Sequence, residues 1–423
     1  MEVFTSLLAI TLISLVAPLI AHIIPNRVVP EAVLLILFGV LIGPHGFGWA
    51  QLGPEVHMLS ELGLAFLFLL AGYEVDLDDL RSGHGMRASA AWLISFGLAF
   101  AVVGLRLDKP LGSMEVIAVA IAMTSTALGT LLPILKERGI ANTAVGRIVM
   151  THGTIGELFP IIAIAVLLSS TSIVSSLGVL AIFALSATLL FIIPKKARSW
   201  GLKVVDVIHM KAEGTAQTTV RVTVVLLVAL TTLAVQFDLD LVLGAFAAGI
   251  IVRQLLPSGR HELDQKLDGL AYGFFIPLFF VVSGMGIDVA AVAQQPTSLL
   301  FFLVALLVIR GLPVFLSTRG QRPGHLPLTL GERARIGLYS TTALPIIVAV
   351  THVAVGAKAM STTTQSVLIL AGACSVLLMP VLAAITQSRT RTSDLDPDDP
   401  EDIGGSALVI EKATGSESEA GTR

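Results

Sequence analysis

The chain has 423 residues, of which 54% are hydrophobic and 13% charged, with a formal net charge of −3 and a mean hydropathy of +0.87. A soluble domain cannot hide that much apolar surface, whereas spans of about 20 apolar residues match the hydrocarbon thickness of a bilayer. The single cysteine, Cys374, excludes an intrachain disulfide and reads as a helix-packing residue.

The composition predicts an all-α polytopic membrane protein of about thirteen transmembrane helices. Apolar windows lie near 3–24, 29–43, 56–77, 88–106, 115–135, 145–169, 172–194, 217–236, 239–255, 263–286, 297–318, 331–353 and 363–387. The stretch from Val3 to Ile24 has no basic leader and reads as a retained first helix. The second and ninth windows are short and rich in glycine, and Gly43-Pro44-His45-Gly46 reads as a helix-ending turn. Basic residues alternate between loops. One side carries Arg27, Arg81, Lys136, Arg138, Lys195, Arg253, Arg319, Arg333 and others, while the opposite loops carry Arg106, Lys109 and Lys358. The positive-inside rule then places the N-terminus outside and the C-terminus in the cytoplasm of a plasma-membrane protein. Residues 388–423 are acidic and poor in apolar residues, which predicts a disordered cytoplasmic tail with a short apolar island at Ala407–Ile410.

One pattern occurs twice. Phe66 through Asp76 (FLFLLAGYEVD) returns as Leu278 through Asp288 (LFFVVSGMGID), and Thr124-Ser125-Thr126-Ala127-Leu128 returns as Ser340-Thr341-Thr342-Ala343-Leu344. Gly72 to Thr126 is 54 positions, and Gly284 to Thr342 is 58. Landmarks kept in order at nearly equal spacing imply two six-helix repeats, about 3–169 and 217–387, joined by a linker helix at 172–194. The odd linker crossing turns the second repeat upside down. Inverted repeats with interrupted helices are a transporter architecture, with the substrate site near the midplane. The expected domain is therefore a transmembrane exchanger domain over 1–387.

Charge inside a span is costly, about 2.5–3.5 kcal/mol at the bilayer centre, so each instance is a functional candidate. Glu157 lies in the sixth span and Arg310 in the eleventh. A carboxylate in a partly dry cavity exchanges a proton for a cation at one group, which makes Glu157 the candidate ion and proton site. Arg310 is its electrostatic partner, and a structural Glu157–Arg310 ion pair is the competing reading. Thr124, Ser125, Thr126, Ser340, Thr341 and Thr342 form the second constellation, each cluster followed by a proline, Pro133 or Pro345. Hydroxyls beside broken backbone supply oxygen ligands for a small cation, although such hydroxyls also bond their own preceding carbonyls. Asp76 and Asp288 hold matching repeat positions, as mouth acids or as helix caps. Glu74 has no counterpart in the second repeat, where Gly286 stands, and His152 reads as packing. The histidines show no metal-ligand spacing and no phosphate-cradling glycine motif follows a strand. No metal beyond a transported monovalent cation, no cofactor, no nucleic-acid partner and no enzyme activity is expected.

Across residues 1–387 the chain resembles bacterial monovalent cation:proton antiporters of the Kef-like and NapA-like group. The landmarks are Gly39-Val40-Leu41-Ile42-Gly43-Pro44, Glu61-Leu62-Gly63 through Gly72, Thr126 through Leu135-Lys136-Glu137, Phe279 through Asp288, and Arg310. The resemblance implies a homodimer in the lipid bilayer, exchanging Na⁺ or K⁺ for H⁺ by alternating access. It also implies a mobile core containing spans four to six and eleven to thirteen, with two broken helices crossing beside the ion site. In this family the sixth span usually carries two adjacent polar residues, whereas this chain has Gly156-Glu157. One carboxylate, with an arginine that does not readily release its proton, points to electroneutral exchange. Many Kef-type proteins carry a nucleotide-binding regulatory domain, which is not expected in the 36 residues after Gln387, so regulation would need a separate subunit. The alternatives are a Kef-like gated potassium efflux pathway, an organic-ion carrier and a non-transporting membrane sensor.

Overall fold

The computed structural model describes residues 2–24, 29–75, 83–167, 178–188 save 186, 218–237, 239–255, 260–321 and 327–386. Described elements are nearly all helical: α1 (Glu2–Ile23), α2 (Glu31–Ile42), α3 (Pro54–Glu74), α4 (Gly83–Leu107), α5 (Met114–Met123), α6 (Leu128–Glu137), α7 (Ala144–Leu167), α8 (Thr218–Gln236) and α9 (Leu241–Leu255). Then follow α10 (Arg260–Leu270), a π-turn (Ala271–Phe275), α11 (Ile276–Met285), α12 (Val289–Ala293), α13 (Pro296–Leu306), a second π-turn (Leu307–Gly311), α14 (Leu312–Ser317), α15 (Leu330–Tyr339), α16 (Leu344–Gly356) and α17 (Thr362–Ile385). Nine described helical segments are long and apolar enough to cross a membrane, with three shorter apolar helices beside them. Helix is found at each of the thirteen predicted windows, the linker window being described, and helical, only at 178–185 and 187–188. The acidic tail and Asp76 lie outside the described residues.

The helices sort into two bundles. In the first, α3 packs on α9 and α11, α2 packs on α11 and α1, and α8 packs on α9. In the second, α4, α5 and α7 pack with α13 through α17. Close approach in the first bundle is made by glycines. A Cβ on Gly72 would overlap the Phe246 carbonyl of α9, and one on Gly284 would overlap the Ile36 carbonyl of α2. These glycines stand at matching positions of the repeated pattern, and each seats its helix on the backbone of the other half. Without a hydrophobic drive between helices in lipid, such small-residue contacts carry the packing through dispersion.

Each hydroxyl cluster interrupts a helix. The chain leaves helical geometry between α5 and α6 at 124–127, and between α15 and α16 at 340–343. Pro345 stands in the first turn of α16, where an amide donor is not needed, and Pro133 lies inside α6 without ending it. The interruptions therefore coincide with the Ser and Thr residues and not with the prolines. These side chains bond their own backbone and offer it an alternative to helix.

Polar contacts tie the helix ends together. Arg106 donates to Ser298 at 3.0 Å, Lys109 pairs with Glu115, and Thr364 donates to Glu115 at 3.2 Å. At the other end Arg253 donates to the carbonyls of Tyr73 and Glu74 at 2.9 and 3.0 Å. A cavity of about 900 Å³ opens at that second end, between α1, α2, α3 and α11 on one side and α6 and α17 on the other.

Candidate functional site

The two interruptions cross. The amide of Ala127 donates to the Thr342 carbonyl at 2.8 Å, and the Thr126 hydroxyl donates to the Ser340 carbonyl at 2.5 Å. From α7, the Gly156 carbonyl accepts from the Thr126 amide at 2.8 Å. Three helical segments thus meet at one point, with all six predicted hydroxyl residues fully buried there. Five of those hydroxyls donate to carbonyls of their own helices: Thr124 to Ile121, Ser125 to Ala122, Ser340 to Ile336, Thr341 to Leu338 and Thr342 to Tyr339. Thr126 alone reaches across. In each case the oxygen keeps a lone pair that can face a cation.

Glu157 is 3% exposed and follows Gly156 directly on α7. The Leu128 amide, first in α6, approaches its carboxyl, so the acid sits where the positive end of a half-helix dipole points. Its Oε2 has no hydrogen-bond partner among the described residues. A buried carboxyl with one free oxygen beside oriented amides is chemically suited to hold either a proton or a small cation.

Arg310 is fully buried in the second π-turn. Its Nε donates to the Thr126 hydroxyl at 3.0 Å and one terminal nitrogen donates to the His152 carbonyl at 2.7 Å. The competing reading, a direct Glu157–Arg310 ion pair, is not among the ion pairs the described residues show, which are His57–Glu61 and Lys109–Glu115. The reason is register on α7. Successive residues point about 100° apart around a helix, and the guanidinium enters over Gly156, not beside Glu157. A Cβ at Gly156 would overlap both the guanidinium and the Thr126 hydroxyl. The glycine that reads in sequence as a missing polar group is therefore the space in which Arg310 lies.

Asp288 caps α12, its Oδ1 accepting from the Ala291 amide at 2.9 Å. Of its two readings the cap is the one with a contact. His152 is buried and its Nε2 lies 3.4 Å from the Ser317 hydroxyl, as packing requires. Glu74 is a residue that sequence reasoning discounted. Its charge reaches Glu157, and Tyr272, which lines the large cavity, lies within electrostatic reach of both acids. The signal for Glu74 was its charge at the end of an apolar span; the lack of a repeat counterpart hid it.

Comparison with known proteins gives a consistent picture. The transmembrane family described as sodium/hydrogen exchanger matches residues 10–386. The chain is 27% identical to YjbQ of Bacillus subtilis, over 89% of this chain and 62% of that protein, so it spans less than two thirds of that relative. It is 28% identical to a Na⁺/H⁺ antiporter of Enterococcus hirae, over 68% of this chain and 74% of the other. It is 24% identical to the Na⁺/H⁺-K⁺ antiporter GerN of Bacillus cereus, over 66% and 70%. In fold it is similar to the sodium proton antiporter MjNhaP1 of Methanocaldococcus jannaschii, with a TM-score of 0.60 at 18% identity, covering 91% of this chain and 97% of the other.

Proposed function

This chain belongs to the sodium/hydrogen exchanger family, and on that premise we propose that it exchanges protons for Na⁺ or K⁺ across the plasma membrane as a secondary antiporter. The observation that carries the reading is Glu157, a buried carboxyl at the crossing of two interrupted helices. Proton and cation compete there for one group, so a bound proton excludes the cation and the reverse. The hydroxyl oxygens of Thr124, Ser125, Thr126, Ser340, Thr341 and Thr342 complete a cation's shell. Arg310 holds the crossing together and supplies fixed positive charge.

The two-bundle packing supports alternating access. The bundle with the crossing moves against the other, and the cavity between them at the Arg138 end is the entrance in one of two states. Thirteen crossings, inverted repeats over 3–169 and 217–387, an outside N-terminus and a homodimer complete the proposal. The reciprocal seating of Gly72 and Gly284 on the other half supports the repeats. One carboxyl at the crossing and a constitutively charged arginine make the exchange electroneutral. Potassium efflux through a gated pathway would use the same residues but run without a proton gradient.

The test is purified protein in liposomes, following internal pH after addition of Na⁺ or K⁺. Cation-driven proton movement is expected from the wild type and is lost in Glu157→Gln. The exchange rate is expected to be indifferent to an imposed potential, because each uncompensated charge would couple about 2.3 kcal/mol per 100 mV. Unimpaired exchange by Glu157→Gln would place the ion site elsewhere.

A further inference from the structure

Far from the crossing, the fold brings together three side chains that are remote in sequence. His57 and Glu61 lie one turn apart on α3, with Nδ1 and Oε1 3.5 Å apart. His352, near the end of α16, faces them, its ring centroid 5.2 Å from that of His57. One ligand atom from each of the three lies within 4.8 Å of the others. His57 and His352 are exposed and Glu61 is partly so. A small cavity lined by Leu52, Pro54, His57, Met58 and Glu61 gives access.

We propose that His57, Glu61 and His352 bind a transition-metal dication of the Zn²⁺ class and that the bound ion clasps the two helix bundles. The chemistry selects the ion. Two imidazoles and one carboxylate are the donor set of three-ligand zinc sites, which leave a fourth position to water, whereas Na⁺, K⁺, Mg²⁺ and Ca²⁺ prefer oxygen throughout. A tetrahedral site needs ligand atoms about 3.3 Å apart, given bonds of about 2.0–2.1 Å. Rotation of exposed side chains covers the remaining distance. A His-x-x-x-Glu pair on one helical turn presents both ligands on one face.

The location sets the consequence. His57 and Glu61 belong to the first bundle and His352 to the second, so the ion bridges them. The cluster lies at the end opposite the 900 Å³ cavity, where the bundles meet. An ion held there opposes their separation and keeps the cavity end open, which stalls a cycle that must open the ends in turn. This consequence, unlike the binding, rests on the exchange reading above.

The experiment titrates the full-length detergent-solubilised protein with Zn²⁺ by calorimetry, and with Co²⁺ by its visible d–d absorption. One ion per chain is expected. Affinity should fall about 100-fold or more in His57→Ala and in His352→Ala, beyond the 10–100-fold typical of losing an outer-shell partner. No binding, or equal binding by both variants, overturns the site. In liposomes, saturating Zn²⁺ should slow exchange by the wild type and a chelator should restore it. Binding without slowing overturns the clasp while leaving the site. A wild type that binds Zn²⁺ but exchanges nothing leaves the site intact and overturns both the clasp and the antiporter reading.

Discussion

A Cβ on Gly156 would overlap the Arg310 guanidinium and the Thr126 hydroxyl, so a side chain at 156 and a guanidinium at 310 compete for one space. Gly156→Asn, which restores a polar neighbour to Glu157, is expected to push the guanidinium off Thr126 and the His152 carbonyl. Hydrogen bonds to a charged group are each worth about 1.5–3 kcal/mol, so thermal stability in detergent and exchange rate should both drop. Adding Arg310→Ala empties the space. The double variant should then cost less than the sum of the singles, with a coupling of about 0.5–3 kcal/mol. Additive losses would mean that the glycine is there for another reason. At this scale the sequence picked out the buried charges and hydroxyls but not how they meet. Glu157 and Arg310 were legible because the bilayer penalises buried charge, whereas their register depends on the rotation of α7 against a π-turn, which no spacing reports. For the same reason His57 and His352 looked scattered until α3 and α16 stood side by side.

Interrupted helices were legible through repetition, since a Ser/Thr triplet means little once and much when it returns at nearly the same distance from the same glycine. The prolines that follow each cluster are not the breaking agents. Pro345 fits the first turn of α16 and Pro133 lies inside α6, while the hydroxyls form the discontinuities. Glycine placement gives a test of the packing between elements. Gly72→Val and Gly284→Val each drive a branched side chain into a carbonyl of a neighbouring helix. Each is expected to lower the midpoint of thermal unfolding, by about 1–3 kcal/mol if the helices part slightly. Gly97 lies inside α4 with open space where a Cβ would go. Gly97→Ala should therefore raise the midpoint, as loss of glycine from a helix interior gains roughly 0.5–1 kcal/mol. Equal effects at the three positions would show that the close approaches do not hold the bundles together.

For the whole molecule, charge and contact both bear on the proposed topology. Among the described residues, Arg253 meets Tyr73 and Glu74 at one end, and Arg106, Lys109 and Glu115 are bonded at the other. The cavity opens at the Arg253 end, and the orientation proposed above would make this the inward-open arrangement. Single cysteines in a Cys374→Ala background test both statements. Gln294→Cys, beside α12, should react with a membrane-impermeant maleimide in intact cells, and Arg319→Cys, beyond α14, only after the cells are opened. Reversed reactivity would invert the orientation. Ala384→Cys, in the cavity wall, should share the sidedness of Arg319→Cys but react in only part of the population while the protein is cycling. Zn²⁺ gives that measurement its direction: an ion clasping α3 to α16 at the opposite end should raise the reactive fraction at 384. A fall would mean that the bundles separate at the cavity end when the other is free, and that the two ends do not exclude one another.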